Sequence, residues 1–389
     1  MTPDATAARL APGASGRVAL RSPRPLVHGR RHRRPVLAAL ALVTTLLVAG
    51  CGVRLETPEP TEPSPDVHEV VRRAAVDDAL AVEDLAAAVA PTVTDPTVLA
   101  ALDEAGRFAE QHVQALGGVY ESGLPVPTET DGESSPEPVE VTTSPAPGEG
   151  DDEGPDDPAG DGSQDAPVTG DGTADGTSTA APTTDDVVTA LVGAAQRTRA
   201  SADLTQDAEL ARLLASVAAS EHVSAQRLAA ATGSEAATDL DVAVVPVEDT
   251  PSGVGAADLA TLVAAEDAAG YALEVRGAQV DGDVRTAAVA RAAEHRARAQ
   301  AWALAAGTDG TDQDPRRTAY VLPDGEDVTT LARRLETELT ASYASLVATA
   351  APESRGDALA LLTDSWLAAL AWGAAPVAFP GMPEQQPAS

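Results

Sequence analysis

Three features of this 389-residue chain predict an all-α protein. Its apolar residues are chiefly Ala, Leu and Val, with aromatics at only 2%, and alanine is the best helix former and a poor strand former. Apolar positions recur with helical period in eight segments. Short connections, three of the four marked by Pro or Gly, join those segments in pairs, as antiparallel neighbours require. No Lys, Ile or Asn occurs. The residues that remain are those of GC-rich codons, so part of this composition reflects the genome and not the fold.

The first segment is not part of that helical set. A basic run (Arg30, Arg31, Arg33, Arg34) precedes an apolar stretch from Val36 to Ala49, and Ala49-Gly50 then leads to Cys51. Basic, apolar, then small is the order of a secretory signal peptide. The apolar stretch is shorter than the ~20 residues a membrane-spanning helix needs. Cys51 is the only cysteine, and its place directly after the small residues resembles a lipobox. Residues 1–50 are therefore read as a lipoprotein signal peptide, with Cys51 as the site of lipidation by diacylglycerol and palmitate. Each buried methylene contributes ~0.8 kcal/mol, so two or three acyl chains anchor firmly. The expected location is the outer face of the cell membrane, lipid-anchored. An acylated Cys51 leaves no thiol for disulfides or thiolate metal sites.

The formal net charge is −34. Removal of residues 1–50 takes away eight Arg and one acid, leaving 18 basic against 59 acidic residues, a net −41. Such a chain repels nucleic acid and anionic lipid headgroups. The membrane is thus a partner only through the acyl groups on Cys51. No protein or small-molecule partner can be named from the sequence.

Residues 51–65 are rich in Pro, Glu and Thr and read as an extended tether. Residues 66–120 read as a helical hairpin. Its first helix carries Val67, Val71, Ala74, Ala81 and Leu85, and its second Leu99, Leu102, Gly106, Ala109, Val113 and Leu116, stopped by Gly117-Gly118. Residues 121–185 hold 17 Asp or Glu, no basic residue, and dense Pro, Gly, Ser and Thr. That composition predicts a disordered acidic loop. Its Asp-Gly steps lack the ligand spacing and closing Glu of an EF-hand. Residues 186–233 read as a second hairpin completing an N-terminal bundle, with the stripe Leu210, Leu214, Val217, Glu221, Ser224, Leu228. A linker (234–253) follows. Residues 254–383 give four helices, about 255–280, 283–306, 328–350 and 354–373. Short connections at 281–282 and 351–353 and a long one at 307–327 predict a four-helix bundle with one long crossover, as in ferritin-like folds.

The C-terminal block resembles a ferritin-like domain of unknown function found in lipoproteins of high-GC bacteria. The resemblance rests on Ala265-Glu266 and Tyr271, His295-Arg296-Ala297-Arg298, Tyr320-Val321-Leu322-Pro323, Leu335-Glu336 and Tyr343, Trp372, and the terminal Ala378-Phe379-Pro380-Gly381-Met382-Pro383. It covers about a third of the chain and implies no particular activity.

Ferritin-like di-iron proteins supply one Glu from each of two helices and a Glu-x-x-His from each of the other two. This chain has no Glu-x-x-His, and Asp267 stands where relatives often carry His after the first-helix Glu. What remains is Glu266 on the stripe Leu259, Leu262, Val263, Gly270, Leu273, and a second-helix face of Val284, Ala288, Arg291, His295, Arg298 and Trp302. On the third helix Glu338 flanks the stripe Leu331, Leu335, Leu339, Leu346, and Glu336 lies away from its centre. Glu266, His295, Arg291, Arg298, Glu338 and Glu336 are the candidate polar core or ligand site. The favoured reading is a Glu–Arg/His network that fixes helix register. The alternative is a metal-dependent, di-iron-type oxidoreductase or metal-binding protein using Glu266, His295 and a third-helix Glu, with iron or another divalent metal. No nucleophile with an adjacent base, phosphate-cradling loop or zinc spacing occurs, so the chain reads as a binding or structural module and no catalytic residue is assigned. One further pattern is an echo: Ala218-Ala219-Ser220-Glu221-His222 is followed 73 residues on by Ala292-Ala293-Glu294-His295.

Overall fold

The computed structural model of the chain describes residues 61–124, 181–240, 247 and 250–386. The expected leader, Cys51, nearly all of the expected tether and residues 125–180 of the acidic segment lie outside the described residues.

The described residues are all-α. Eight α-helices form two consecutive sets: α1 (Val67–Val89), α2 (Pro96–Ala115), α3 (Thr184–Leu204) and α4 (Ala208–Thr232), then α5 (Ala256–Gly277), α6 (Gly282–Ala305), α7 (Val328–Thr349) and α8 (Gly356–Ala371). Acidic residues and threonine start most of them. The carboxylate of Asp66 accepts from Glu69 N at 2.8 Å, Asp207 and Asp327 cap α4 and α7, and Thr183 with Asp186 forms a reciprocal capping box at α3. Each such cap satisfies amide donors that have no partner inside the helix. Gly233 ends α4 in the left-handed region (φ 72°), which a residue with a Cβ enters at a cost. Among the described residues no helix is long and apolar enough to cross a membrane.

Neighbouring helices pair as antiparallel hairpins, α1/α2, α3/α4, α5/α6 and α7/α8. In the first set α1 also packs on α3 and α2 on α4. In the second α5 and α6 pack on α7, with the long crossover between α6 and α7. All eight helices belong to one compact unit. One apolar cluster joins Ala75, Leu214 and Ala219 of the first set to Leu259, Trp302, Tyr343 and Leu362 of the second.

Helix α4 is the reason the sets share a core. Every residue from Ser216 to Ala225 is buried, because α4 meets α2 and α3 on one side and α7 and α8 on the other. A helix buried on all sides carries no polar face, and here small Ala and Ser residues let its neighbours come close. The C-terminal strap completes the enclosure. Ser216 Oγ donates to Pro380 O at 2.7 Å, His112 Nε2 bonds Ala378 O at 2.9 Å, and Phe379 packs edge-on against the His112 ring at 5.5 Å. Gly381 (φ 78°) lies against α7 so closely that a Cβ would stand 2.8 Å from Thr340 O. This is why glycine occupies the position.

A buried arginine ties the sets together at one end. Arg355, 1% exposed, donates to Val347 O and Ala350 O at the end of α7 (2.9 and 3.0 Å). It also donates to Ala202 O, Asp203 O and Thr205 O at the end of α3 (2.9, 3.2 and 2.7 Å). Carbonyls at a helix C-terminus are unpaired and carry partial negative charge, so one cation satisfies two helix ends.

Candidate functional site

The polar residues of the second set converge in the middle of the bundle. On α5, Glu266 follows Leu262 and Val263 by one turn and precedes Gly270 by one and Leu273 by two, so the apolar stripe carries it inward. On α6, Ala288, Arg291, Ala292, His295, Arg298, Ala299 and Trp302 form the buried face. On α7, Ala332, Glu336, Thr340 and Tyr343 share a face at spacings of four, four and three. Helix α8 adds Asp364. Glu266, His295 and Glu336 have 0% exposure.

Two sequence expectations are corrected here. Glu338 is on the surface, where it pairs with Arg334 at 3.1 Å, and Glu336 is the core carboxylate. The leucine stripe marks only one side of a helix buried on two. The deeper face, toward α5 and α6, is lined by Ala332 and Thr340, small residues that carry little hydrophobic signal. On α6, Val284 does not join the buried face. It is 40% exposed, because the first two turns of α6 extend past the bundle until Ala288.

The side chains close on one another. His295 Nδ1 is 2.6 Å from Glu266 Oε2 and Nε2 is 3.0 Å from Glu336 Oε1. With a carboxylate at each nitrogen both must donate, so the ring is an imidazolium. Burial alone would lower the His295 pKa, but the Glu266 charge and the bonds to both glutamates raise it. Arg291 grips Glu336 with two bonds, Nε to Oε1 at 2.6 Å and Nη2 to Oε2 at 2.8 Å. Burial pushes Glu336 up, yet Arg291 and His295 outweigh it and hold the group down at about 2. The other oxygen of Glu266 accepts from the Tyr343 hydroxyl, which in turn accepts from Trp302 Nε1 at 3.4 Å. Burial and the adjacent Glu266 charge push the Tyr343 phenol well above its ordinary value. At the far end Asp364 receives Arg291 at 2.9 Å and Arg298 at 2.5 Å. Three cations (Arg291, His295, Arg298) thus face three carboxylates (Glu266, Glu336, Asp364).

An outer layer of polar contacts surrounds this network. Asp267 pairs with Arg296 and accepts from the Tyr320 hydroxyl at 2.7 Å and from Arg317 N at 3.2 Å, which fastens the crossover to α5. Tyr271 lies 5.8 Å from the Tyr320 ring. Asp267 therefore serves as a clasp for the crossover.

The di-iron arrangement does not fit these residues. A ligating imidazole needs a free lone pair, and both His295 nitrogens are spent on carboxylates. All four oxygens of Glu266 and Glu336 accept bonds from His295, Tyr343 or Arg291, and the Arg291 guanidinium fills the space between α6 and α7. Among the described residues no group of three His, Cys, Asp or Glu is placed to hold a metal ion.

Sequence reasoning left two members, Tyr343 and Asp364, out of the candidate site. Tyr343 was visible only as part of a family pattern, although it lies two turns from Glu336 on the same face. Asp364 is the only acid of α8 beyond its first turn, and an isolated acid in so apolar a helix was a usable signal. Trp302 was placed on the inward face of α6 and lies there, but its N–H role depends on Tyr343.

A family profile described as a domain of unknown function (DUF4439) matches residues 258–384. The match spans α5 to the strap and includes every member of the buried network. No curated protein and no solved structure matches the chain.

Proposed function

We propose that the protein is a membrane-anchored extracytoplasmic lipoprotein whose ferritin-like bundle acts as a binding or structural module. The carrying observation is the self-contained network at the centre of α5–α8. This chain spends all four oxygens of Glu266 and Glu336 and both imidazole nitrogens of His295 on internal partners. Such a charge-balanced core, in which Arg298 Nη1 is the one buried nitrogen without a hydrogen-bond partner, withholds these three side chains from a substrate. It supports a scaffold whose surfaces meet the ligand or partner. The anchoring part of the proposal rests on the basic–apolar–small order before Cys51 and on its lipobox-like setting, shared in this reading with lipoproteins of high-GC bacteria.

Two measurements test it. Cys51→Ser is expected to release the protein from the membrane fraction or to leave it unprocessed. A variant that stays membrane-bound with its leader removed overturns the anchor. For the bundle, metal analysis by mass spectrometry of the full chain, purified without chelator, is expected to give well below one metal per chain. A stoichiometric metal that is lost in Glu266→Gln would instead establish the metal-dependent reading.

A further inference from the structure

A second buried carboxylate, in the first set of helices, has none of the partners that the network supplies. Glu221 on α4 is 3% exposed, and neither of its oxygens has a hydrogen-bond partner. It borders a cavity of about 10 Å³, room for one water molecule. The walls are Ala79 and Val82 of α1, Ala105, Phe108, Ala109 and His112 of α2, Leu191 of α3, and Ser224 of α4 itself.

The charged and titratable groups around Glu221 do not replace the missing donors. On α1, Asp78 adds a like charge, and it already holds Arg197 of α3 in an ion pair at 2.7 Å. The Thr198 hydroxyl on α3 tempers the carboxyl but makes no well-formed hydrogen bond of its own. On α2, burial lowers His112 to about 4 against the opposing bond to Ala378 O, so this ring is neutral. No cation enters the cavity. An ionised carboxylate there would face mostly methyl groups, and burying an unpaired charge is what folded chains avoid by neutralising the group.

We propose that Glu221 is carried as a neutral carboxylic acid that hydrogen-bonds one enclosed water beside Ser224, and that loss of its proton loosens the α1–α4 bundle. The bundle then holds a proton in its core and is sensitive to alkali at one residue. Burial first, and Asp78 second, push this carboxyl up to about 8, against weaker opposing effects of Thr198 and Arg197. The sign follows from linkage. The folded value lies above the unfolded one, near 4.5. The stabilising contribution is therefore complete below pH 4.5 and is lost as pH rises to about 8.

The test compares unfolding of the full wild-type chain with Glu221→Gln between pH 5 and 9. Glutamine keeps the shape and the donor without a charge to lose. The wild-type folding constant, taken relative to the variant, is expected to fall on the order of a thousandfold across that range. His295 also sheds stability in alkali, but it is present in both chains and cancels in the ratio. Parallel pH profiles would overturn the proposal. A direct measurement covers a variant that fails to fold: carboxyl-carbon NMR of the wild type should show one Glu titrating near neutral or alkaline pH. All glutamates titrating below pH 6 would overturn it.

Discussion

In α5–α8 three buried cations meet three carboxylates, and both oxygens of Glu266 and of Glu336 accept bonds. In α1–α4 a lone buried carboxylate, Glu221, lies among alanine, valine, leucine and phenylalanine side chains with neither oxygen satisfied. The same chemical group is thus held in opposite states within one compact unit, Glu336 far below its ordinary pKa and Glu221 far above it. Burial acts on both in the same direction. The difference is the presence of donors: Arg291 and His295 reach Glu336, and the walls around Glu221 offer almost none. Burial alone therefore does not say whether a core carboxylate is charged; the inventory of facing donors does.

The comparison can be broken most easily at Glu336. Removing it strips the bidentate partner from Arg291 and one of two carboxylates from His295, leaving them Asp364 and Glu266, and breaking a buried pair from one side costs about 3–5 kcal/mol. Glu336→Ala is therefore expected to lower unfolding free energy by that amount at pH 7, measured by denaturant unfolding. A loss below about 1 kcal/mol would mean that water reaches the network. Acid sharpens the contrast. Glu336 has a folded pKa below its unfolded one, so its contribution is present above pH 4.5 and lost as pH falls toward 2. The two carboxylates thus draw on stability at opposite ends of the pH scale.

A smaller effect is expected in the strap, which belongs to the second set by sequence and packs on both. Gly381→Ala forces a Cβ against Thr340 O and the Ala344 side chain in left-handed backbone, at a cost of about 1–3 kcal/mol. Since the strap also covers His112 and Ser216, the loss should appear as faster hydrogen exchange at α2 and α4 as well as at α7. Protection unchanged at α2 and α4 would show the strap to be a passive tail. The smallest effect is expected from Glu338→Ala. That side chain is exposed and makes one ion pair with Arg334, so its loss should stay within about 0.5 kcal/mol. A cost near that of Glu336→Ala would reverse the assignment of faces on α7.

Much of this architecture was readable from residue spacing. Helical period, the Pro and Gly breaks and the stop at Gly233 locate the helices to within a few residues, because each depends on local backbone chemistry. Glu266 was legible because Leu262 and Val263 one turn away point it inward, and Arg291, His295 and Arg298 because they share a helical face with Ala288 and Trp302. Glu336 and Glu338 were interchanged because leucine-weighted periodicity finds one apolar stripe, and α7 has two buried sides, one built of Ala and Thr. Glu221 stood on its predicted stripe, yet its isolation could not be read. Nothing in a sequence tells which donors a long-range neighbour brings. The role of the strap depends on contacts between residues 377–381 and residues 112–220, a separation that periodicity does not cover.

Arg355 has a consequence for the order in which the molecule can assemble. Its five acceptors come from residues 202–205 and 347–350, about 150 positions apart. Neither helical set can complete that coordination by itself. An α5–α8 bundle formed first would hold a guanidinium satisfied by α7 alone, with the rest of its donors facing the empty place of α3. The arginine thus behaves as a coincidence requirement, favourable only when both ends of the chain have arrived. A chain interrupted before or between these helices would keep an under-coordinated cation in what should be its interior. It would be marked as incomplete by electrostatics as well as by exposed apolar surface.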